Sequence, residues 1–161
     1  MKKVLYPGSF NPITKGHMNV ISQATELFDE VVIAVMKNSN KPEQFFSIEE
    51  RFELIRNLYK DSPNISVVTG EGATVKIAML NECKAIIRGL RGVTDFDYEI
   101  QLSAINRKLS NNQVNTICLF PDTKYQYISS SVVREVFSLG EDISDYVDPV
   151  VEKAIQKKYV R

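Results

Sequence analysis

Residues 6–17 read Tyr-Pro-Gly-Ser-Phe-Asn-Pro-Ile-Thr-Lys-Gly-His and join an apolar segment to an amphipathic one. The run from Lys2 to Tyr6 is typical of a short buried strand, and we expect Pro7-Gly8 to end it. After His17, apolar residues recur at helical spacing, at Val20, Ile21, Ala24, Leu27 and Phe28. The segment therefore predicts a strand, a tight turn and a helix that begins near Gly16-His17.

This turn has the features of a phosphate-binding segment. The free N–H groups and the positive dipole end of a helix N-terminus favour an anion, and Gly8 allows the backbone to approach one closely. His17 is the only histidine of the chain and falls where the strand passes into the helix. The alternative is a solvent-exposed histidine beside an ordinary strand-to-helix turn, which residue types alone do not exclude.

The rest of the chain continues the alternation of apolar strands and amphipathic helices. Further strands are predicted at 31–36, 65–69, 85–87 and 114–120, with helices between them and at 129–139 and 148–159. Five apolar strands separated by helices predict an α/β fold with one doubly wound, five-stranded parallel sheet. No linker or repeat interrupts residues 1–161, so we expect a single domain.

Capping residues mark several helix ends. Ser47 to Glu50 forms a capping box before a helix whose buried face carries Phe52, Ile55 and Tyr59. Thr94 with Asp97 is expected to cap the long fourth helix, whose buried stripe is predicted at Phe96, Ile100, Ala104 and Leu109. Gly140 is expected to end the fifth helix, and Asp148-Pro149 to begin the last.

Composition excludes several classes of partner. The 161 residues carry 20 basic and 20 acidic side chains, so no global field recruits nucleic acid or an anionic membrane. No apolar run reaches membrane-spanning length, and Cys83 and Cys118 lie in apolar segments without a metal-binding motif. We therefore expect two buried free thiols, a cytoplasmic protein and a small anionic ligand bound by a local site.

Unusual polar residues follow each predicted strand. Ligands of open α/β sheets bind beyond the carboxyl ends of the strands, which here all lie at one edge. Arg88 directly follows the buried Ala85 to Ile87 strand and needs an anionic partner. The remaining clusters are Ser9, Asn11, Thr14 and His17 after the first strand, Lys41-Pro42 after the second, Thr74 after the third and Tyr125 to Ser131 after the fifth.

The Ile128-Ser129-Ser130-Ser131 segment has two interpretations. It is either an ordinary serine cap with a surface arginine at Arg134, or a second phosphate cradle formed by hydroxyls and N–H groups. Lys41 is either part of this array or a solvated lysine, and Tyr98 is either functional or part of the core. Two cradles at one edge favour a polyphosphate ligand.

The predicted site is rich in hydrogen-bond donors and cations, but the sequence has no evident nucleophile–base pair, no Walker lysine and no serine-hydrolase elbow. Such a set suits phosphoryl or nucleotidyl transfer by positioning and charge neutralisation.

Three segments, at residues 7–17, 88–99 and 128–134, together with Lys41-Pro42, resemble the bacterial phosphopantetheine adenylyltransferases of the nucleotidyltransferase superfamily. The first and third segments are shared across that superfamily, whereas Arg-Gly-Leu-Arg-Gly-Val-Thr-Asp-Phe-Asp-Tyr-Glu is specific to this enzyme type. The resemblance implies a Rossmann-like nucleotidyltransferase fold. It also implies transfer of the adenylyl group of ATP to 4′-phosphopantetheine, with Mg²⁺, a homohexameric assembly and feedback by coenzyme A.

The same resemblance implies roles for individual residues. Catalytic roles fall to His17, Lys41 and Arg91, with His17 stabilising the transition state at the α-phosphate. Phosphopantetheine binding falls to Ser9, Lys41, Thr74 and Arg88. ATP binding falls to Ser9, Phe10, His17, Gly89, Leu90, Arg91, Glu99, Tyr125, Gln126, Tyr127, Ile128, Ser129, Ser130 and Ser131, and no side chain is assigned as a metal ligand.

Two positions depart from the family pattern, and other functions remain open. Asn11 stands where the family usually has Asp, and Gly92 where it often has Ala. A nicotinamide-mononucleotide adenylyltransferase or a cytidylyltransferase would share the first and third segments. A non-catalytic ATP-binding module is the alternative of another class, but it would not need the Lys41 and Arg88 anion clamp.

Overall fold

The computed structural model describes residues 1–37 and 45–160. Its parallel strands are β1 (Lys3–Gly8), β2 (Glu30–Met36), β3 (Ile65–Gly70), β4 (Ala85–Gly89) and β5 (Asn115–Leu119), in the spatial order β3-β2-β1-β4-β5. The described helices are α1 (Lys15–Leu27), α2 (Ile48–Leu58), α3 (Thr74–Leu80), α4 (Val93–Leu109), α5 (Ser130–Ser138) and α6 (Pro149–Tyr159). The prediction of a doubly wound five-stranded parallel sheet is therefore confirmed.

Two apolar clusters cover opposite faces of this sheet. Val4 and Tyr6 belong to one cluster and Leu5 to the other, as the alternation of side chains along a strand requires. β2 is buried without interruption from Val31 to Val35, which is typical of a parallel strand covered on both sides.

The first strand is longer than predicted. Pro7 and Gly8 continue β1 and pair with Ala34 and Val35 of β2, instead of ending the strand. β4 pairs with β1 only at Val4 and Leu5, so Pro7 lies where the strand has one neighbour. A proline is tolerated there, as at the edge of a sheet.

The predicted start and buried stripe of α4 are wrong. Gly92 is its N-cap and the first helical residue is Val93, so the helix starts before the Thr94–Asp97 pair that was expected to cap it. Phe96, Ile100 and Leu109 are about half exposed, because α4 packs against β5 and α3 through other positions. Tyr98 is also exposed, which excludes the core interpretation of this residue.

Other helix signals behave as expected. Ser47 accepts from the Glu50 N–H while the Glu50 carboxylate accepts from the Ser47 N–H, which completes the capping box. Asp148 caps α6, and Gly140 follows α5 with a positive φ of 77°. Cys83 is buried as predicted, whereas Cys118 is only partly so, and both thiols are free. No helix among the described residues is long and apolar enough to cross a membrane.

Candidate active site

A cavity of about 620 Å³ opens where the polar residues were predicted to converge, beyond the carboxyl ends of β1 and β4. It is bordered by the loop after β1, the start of α1, the end of β4 and the start of α5. Its lining residues include Tyr6, Ser9, Phe10, Asn11, His17, Lys37, Arg51, Arg88, Gly89, Arg91, Ile128, Ser129, Ser130, Ser131 and Arg134. All four elements carry parts of the three segments that the sequence analysis singled out.

His17 is fixed by a capping box at the start of α1. Thr14 is the N-cap, its Oγ1 accepts from the His17 N–H, and the His17 Nδ1 accepts from the Thr14 N–H at 3.0 Å. Burial, followed by the positive charge of Arg91, lowers the pKa of His17 to about 4. The imidazole is therefore neutral at pH 7. With Nδ1 acting as an acceptor, the proton is on Nε2, which makes Nε2–H a hydrogen-bond donor.

Phe10 supports His17 from the side. It has a φ of 47°, the residue is 2% exposed, and its ring stands edge-on to His17 with centroids 5.1 Å apart. The same ring fills the space above Gly8, where a Cβ would lie 2.9 Å from the Phe10 Cζ. Packing of the Phe10 ring therefore requires a glycine at position 8. The sequence analysis had instead explained Gly8 by a close approach of the backbone to a phosphate.

The loop of residues 9–12, here called the 9–12 loop, is tied to α2 and α5 through its carbonyl oxygens. The Arg51 Nη1 donates to the Ser9 carbonyl at 2.6 Å, and the Arg134 Nη1 donates to the Asn11 carbonyl at 2.6 Å. The Ser130 hydroxyl donates to the Pro12 carbonyl at 2.7 Å. Arg134 thus supports the loop in this structure, a role that neither interpretation of the serine segment included.

The Asn11 side chain has a local structural role. Its Oδ1 accepts from the Phe46 N–H at 2.9 Å, which ties the 9–12 loop to the chain entering α2. Asn and Asp both offer an oxygen in this position, so the hydrogen bond itself does not need a charge. The uncharged amide of Asn11 is therefore sufficient for the observed loop.

Arg88 has a carboxylate partner within the chain. Its Nε and Nη2 donate to the two oxygens of Glu99 at 2.9 to 3.0 Å, in a fork-to-fork pair. Glu99 is 7% exposed and lies on α4, whereas Arg88 ends the buried part of β4 and lines the cavity. Among the described residues, no acceptor is bonded to the Arg88 Nη1, which leaves donor capacity for a ligand.

The start of α5 forms another side of the cavity. Ser129 caps the helix by accepting from the Val132 N–H, and Arg91 Nη1 donates to the Ile128 carbonyl at 3.3 Å. A Cβ on Gly16 would lie 3.4 Å from the Ile128 carbonyl oxygen, so α1 and this segment approach closely. The two helix N-termini are thereby brought to the same cavity.

The structure brings together only part of the predicted site. Ser9, Phe10, His17, Arg88, Gly89, Arg91 and the segment 128–131 line the cavity. Leu90 is buried, and Tyr127 is exposed and stacks edge-on against Tyr146. The other predicted residues that do not line this cavity are Thr74, which begins α3, Glu99, Tyr125 and Gln126. Lys41 lies outside the described residues.

The sequence analysis missed three lining residues with polar side chains: Tyr6, Lys37 and Arg51. Tyr6 was assigned only to the strand, but its hydroxyl lies near the carboxyl end of β4, and burial raises the pKa of Tyr6. Arg51 was missed because helical charges normally face solvent. Its spacing of four residues from buried Ile55 was the available signal.

No group of three or more His, Cys, Asp or Glu side chains within residues 1–37 and 45–160 is arranged to hold a metal ion. The site offers hydrogen-bond donors and cations instead, which complement phosphate groups.

Comparison with known proteins shows the family to which the chain belongs. The profile of the cytidylyltransferase-like family matches residues 5–136, which include most of β1, all of β2 to β5 and most of α5. The chain belongs to the cytidylyltransferase-like family. The α/β architecture of this cytidylyltransferase-like protein is the Rossmann-like nucleotidyltransferase fold.

Two solved structures illustrate the likeness in fold. A putative nicotinate-nucleotide adenylyltransferase from Vibrio parahaemolyticus is 19% identical with a TM-score of 0.71, over 98% of this chain and 94% of that one. A lipopolysaccharide core biosynthesis protein from Thermoplasma volcanium GSS1 is 22% identical with a TM-score of 0.59, over 75% of this chain and 98% of that one. At these identities the similarity concerns the fold.

Proposed function

We propose that this cytidylyltransferase-like protein transfers the adenylyl group of ATP to 4′-phosphopantetheine, producing dephospho-coenzyme A and pyrophosphate. The observation that carries the proposal is that one cavity combines a neutral histidine donor, Arg88, Arg91 and the N-termini of α1 and α5. A triphosphate and an acceptor phosphate both need such donors. The segment 88–99, which resembles the phosphopantetheine enzymes specifically, supports the choice of acceptor.

The chemistry needs no nucleophile from the protein. An oxygen of the acceptor phosphate attacks the α-phosphorus of ATP, and the bond from that phosphorus to the bridging oxygen of the β-phosphate breaks. Pyrophosphate leaves with the bonding electrons. The His17 Nε2–H stabilises the charge on the α-phosphate oxygens during this exchange, while Arg91 and the proposed Lys41 neutralise the phosphates.

Residues are assigned to the two substrates as the resemblance implies, although Thr74, Leu90, Glu99 and residues 125–127 do not line the cavity and Lys41 lies outside the described residues. The residues assigned to ATP are Ser9, Phe10, His17, Gly89 to Arg91 and the segment 125–131. Glu99 is assigned to ATP as well, either by contacting it or by orienting Arg88. Arg88, Lys41 and Thr74 are assigned to the acceptor, with Ser9 shared. The fork between Arg88 and Glu99 supports this role because it orients the guanidinium.

Magnesium enters as part of the MgATP substrate. Phosphate oxygens are themselves ligands that Mg²⁺ prefers, and the ion commonly keeps several waters. We assign it no protein ligand and no separate step.

Two further properties belong to the proposal. Coenzyme A contains the pantetheine and adenylate parts of the product and would act as a feedback inhibitor at the same cavity. The half-exposed apolar side chains of α4 would be covered in a homo-oligomer, for which we propose a homohexamer. Neither nucleic acid nor a membrane is assigned as a partner.

The decisive experiment measures pyrophosphate release from MgATP with 4′-phosphopantetheine. Nicotinate mononucleotide is the second acceptor to test, because the Vibrio parahaemolyticus neighbour is described as a putative nicotinate-nucleotide adenylyltransferase. CTP replaces ATP in a third reaction, and His17→Ala provides the control with the catalytic donor removed. Release with nicotinate mononucleotide alone would replace the proposed acceptor. ATP binding without release in any reaction would favour a non-catalytic nucleotide-binding module.

A further inference from the structure

The 9–12 loop contributes Ser9, Phe10 and Asn11 to the cavity, yet its conformation is held from outside the loop. Three of its four carbonyl oxygens, those of Ser9, Asn11 and Pro12, accept from a side chain of α2 or α5. Arg51 is the most buried of these donors, with 5% of its surface exposed. A buried guanidinium is costly unless its donors are satisfied, so its hydrogen bonds define one orientation.

Arg51 connects α2 to two strands of the sheet. Its Nη1 donates to the carbonyls of Ser9 at 2.6 Å and Met36 at 3.1 Å, and its Nε donates to the carbonyl of Ser47 at 3.2 Å. The residue therefore connects the start of α2 to the carboxyl ends of both β1 and β2. The end of β1 borders the cavity, as does Lys37, which follows β2.

The hydrogen bond from Arg51 to the Ser9 carbonyl fixes the orientation of the whole Ser9–Phe10 peptide unit. The peptide unit is planar, so fixing the Ser9 carbonyl also fixes the direction of the Phe10 N–H. Phe10 follows with a φ of 47°, a conformation that non-glycine residues adopt only when their surroundings hold them there. The ring that this conformation places over Gly8 is the one that contacts His17.

We propose that Arg51 is a positioning residue: it holds the Ser9–Phe10 peptide, and through the Phe10 ring it sets the position of the His17 imidazole. The kinetic consequence rests on the proposed function, whereas the geometric one does not. Arg51 acts through the backbone and is assigned no contact with the transferred group.

The geometric part is tested by NMR on the free protein. His17 is the only histidine, so its ring resonances are unambiguous, and they are sensitive to the aromatic ring of Phe10. We expect Arg51→Met to shift the His17 ring resonances. The matched control is Arg56→Met, on the same helix but exposed and paired with Glu53, and it should leave them unchanged.

The kinetic part uses the same variants in the pyrophosphate assay. Misplacement of a catalytic group by about 1 Å costs on the order of 100-fold in rate, so kcat of Arg51→Met should fall by about that factor. The ATP dissociation constant should change much less, and Arg56→Met should behave as the unaltered protein. Arg51→Lys keeps the charge but lacks the guanidinium that reaches the carbonyls of Ser9, Met36 and Ser47 together, so we expect partial rescue.

The outcomes distinguish a failure of this proposal from a failure of the proposed function. If Arg51→Met does not fold, Arg51→Lys decides by the same two readouts. A folded variant with unchanged His17 resonances and unchanged kcat would overturn the proposal. So would a loss of ATP affinity as large as the loss of kcat, which would indicate direct binding. If the unaltered protein released no pyrophosphate with any acceptor, the proposed function would fail, while the NMR comparison would still test the geometry.

Discussion

At the scale of single residues, His17 is held in a neutral state that suits a hydrogen-bond donor. The lowered pKa, about 4, means that the folded protein binds this proton far less readily than the unfolded chain, whose histidine titrates near 6.5. Lowering the pH through that window therefore favours the unfolded state and removes stability. We expect an NMR titration of the single histidine to give a midpoint near 4. A midpoint near 6.5 would show that the imidazole is solvated and would remove the basis for a neutral donor.

Arg88 is expected to distinguish the two substrates. Charge-assisted hydrogen bonds contribute roughly 1.5–3 kcal/mol each, so Arg88→Ala should weaken 4′-phosphopantetheine by at least about tenfold and ATP much less. Calorimetry with each ligand separately measures both effects. Arg107→Ala, an exposed arginine of α4, is the control and should affect neither ligand. An equal loss for both substrates would contradict the assignment of Arg88 to the acceptor.

Asn11 is expected to tolerate replacement by aspartate. The Asp carboxylate retains an oxygen for the Phe46 N–H, and the loop keeps its contacts to Arg134 and Ser130. Asn11→Asp should therefore change kcat and the magnesium requirement by less than about tenfold, or about 1.4 kcal/mol. Magnesium titrations against rate for both proteins test this. A large gain in the variant would mean that the amide weakens metal binding in this chain.

At the scale of secondary-structure elements, the start of α1 couples helix stability to the site. Thr14 is buried, and its hydroxyl satisfies the His17 N–H, which the helix itself leaves without a partner. Thr14→Val keeps the shape but removes the cap, so the free energy of unfolding should fall by about 1 kcal/mol. Denaturant unfolding measures it, with Thr25→Val on the exposed side of α1 as the control. Equal effects of the two substitutions would show that the cap contributes nothing specific.

At the scale of the whole molecule, α4 carries an apolar surface that the described chain does not cover. Phe96, Ile100, Ile105 and Leu109 are each about half exposed, and four such residues within one helix exceed the scattered single apolar residues that are common on protein surfaces. We expect light scattering to show an oligomer. Ile105→Glu should dissociate it, because a charge is costly to bury in an apolar contact. The control is Leu139→Glu, at an exposed leucine after α5, and a monomeric unaltered protein would refute the interface.

Local sequence patterns predicted most elements because their causes are local. The capping box at Ser47, the Asp148-Pro149 start of α6 and the glycine after α5 each depend on neighbours within a few residues. The buried run of β2 likewise predicted a strand covered on both faces. The start and stripe of α4 were predicted wrongly, because whether an apolar face is buried depends on what packs against it.

The sequence by itself determined the parallel α/β class, the helix N-terminus at His17 and the edge of the sheet at which polar residues gather. Only the tertiary structure decided which of those residues share a cavity, that Glu99 pairs with Arg88, and that Arg51 and Arg134 hold the 9–12 loop. The physical reason is the sequence separation of the interacting residues, because helix caps and hydrophobic periodicity depend on residues only a few positions apart. The bonds from Arg51 to Ser9 and from Arg134 to Asn11, in contrast, span 42 and 123 positions and exist only once the strands have paired.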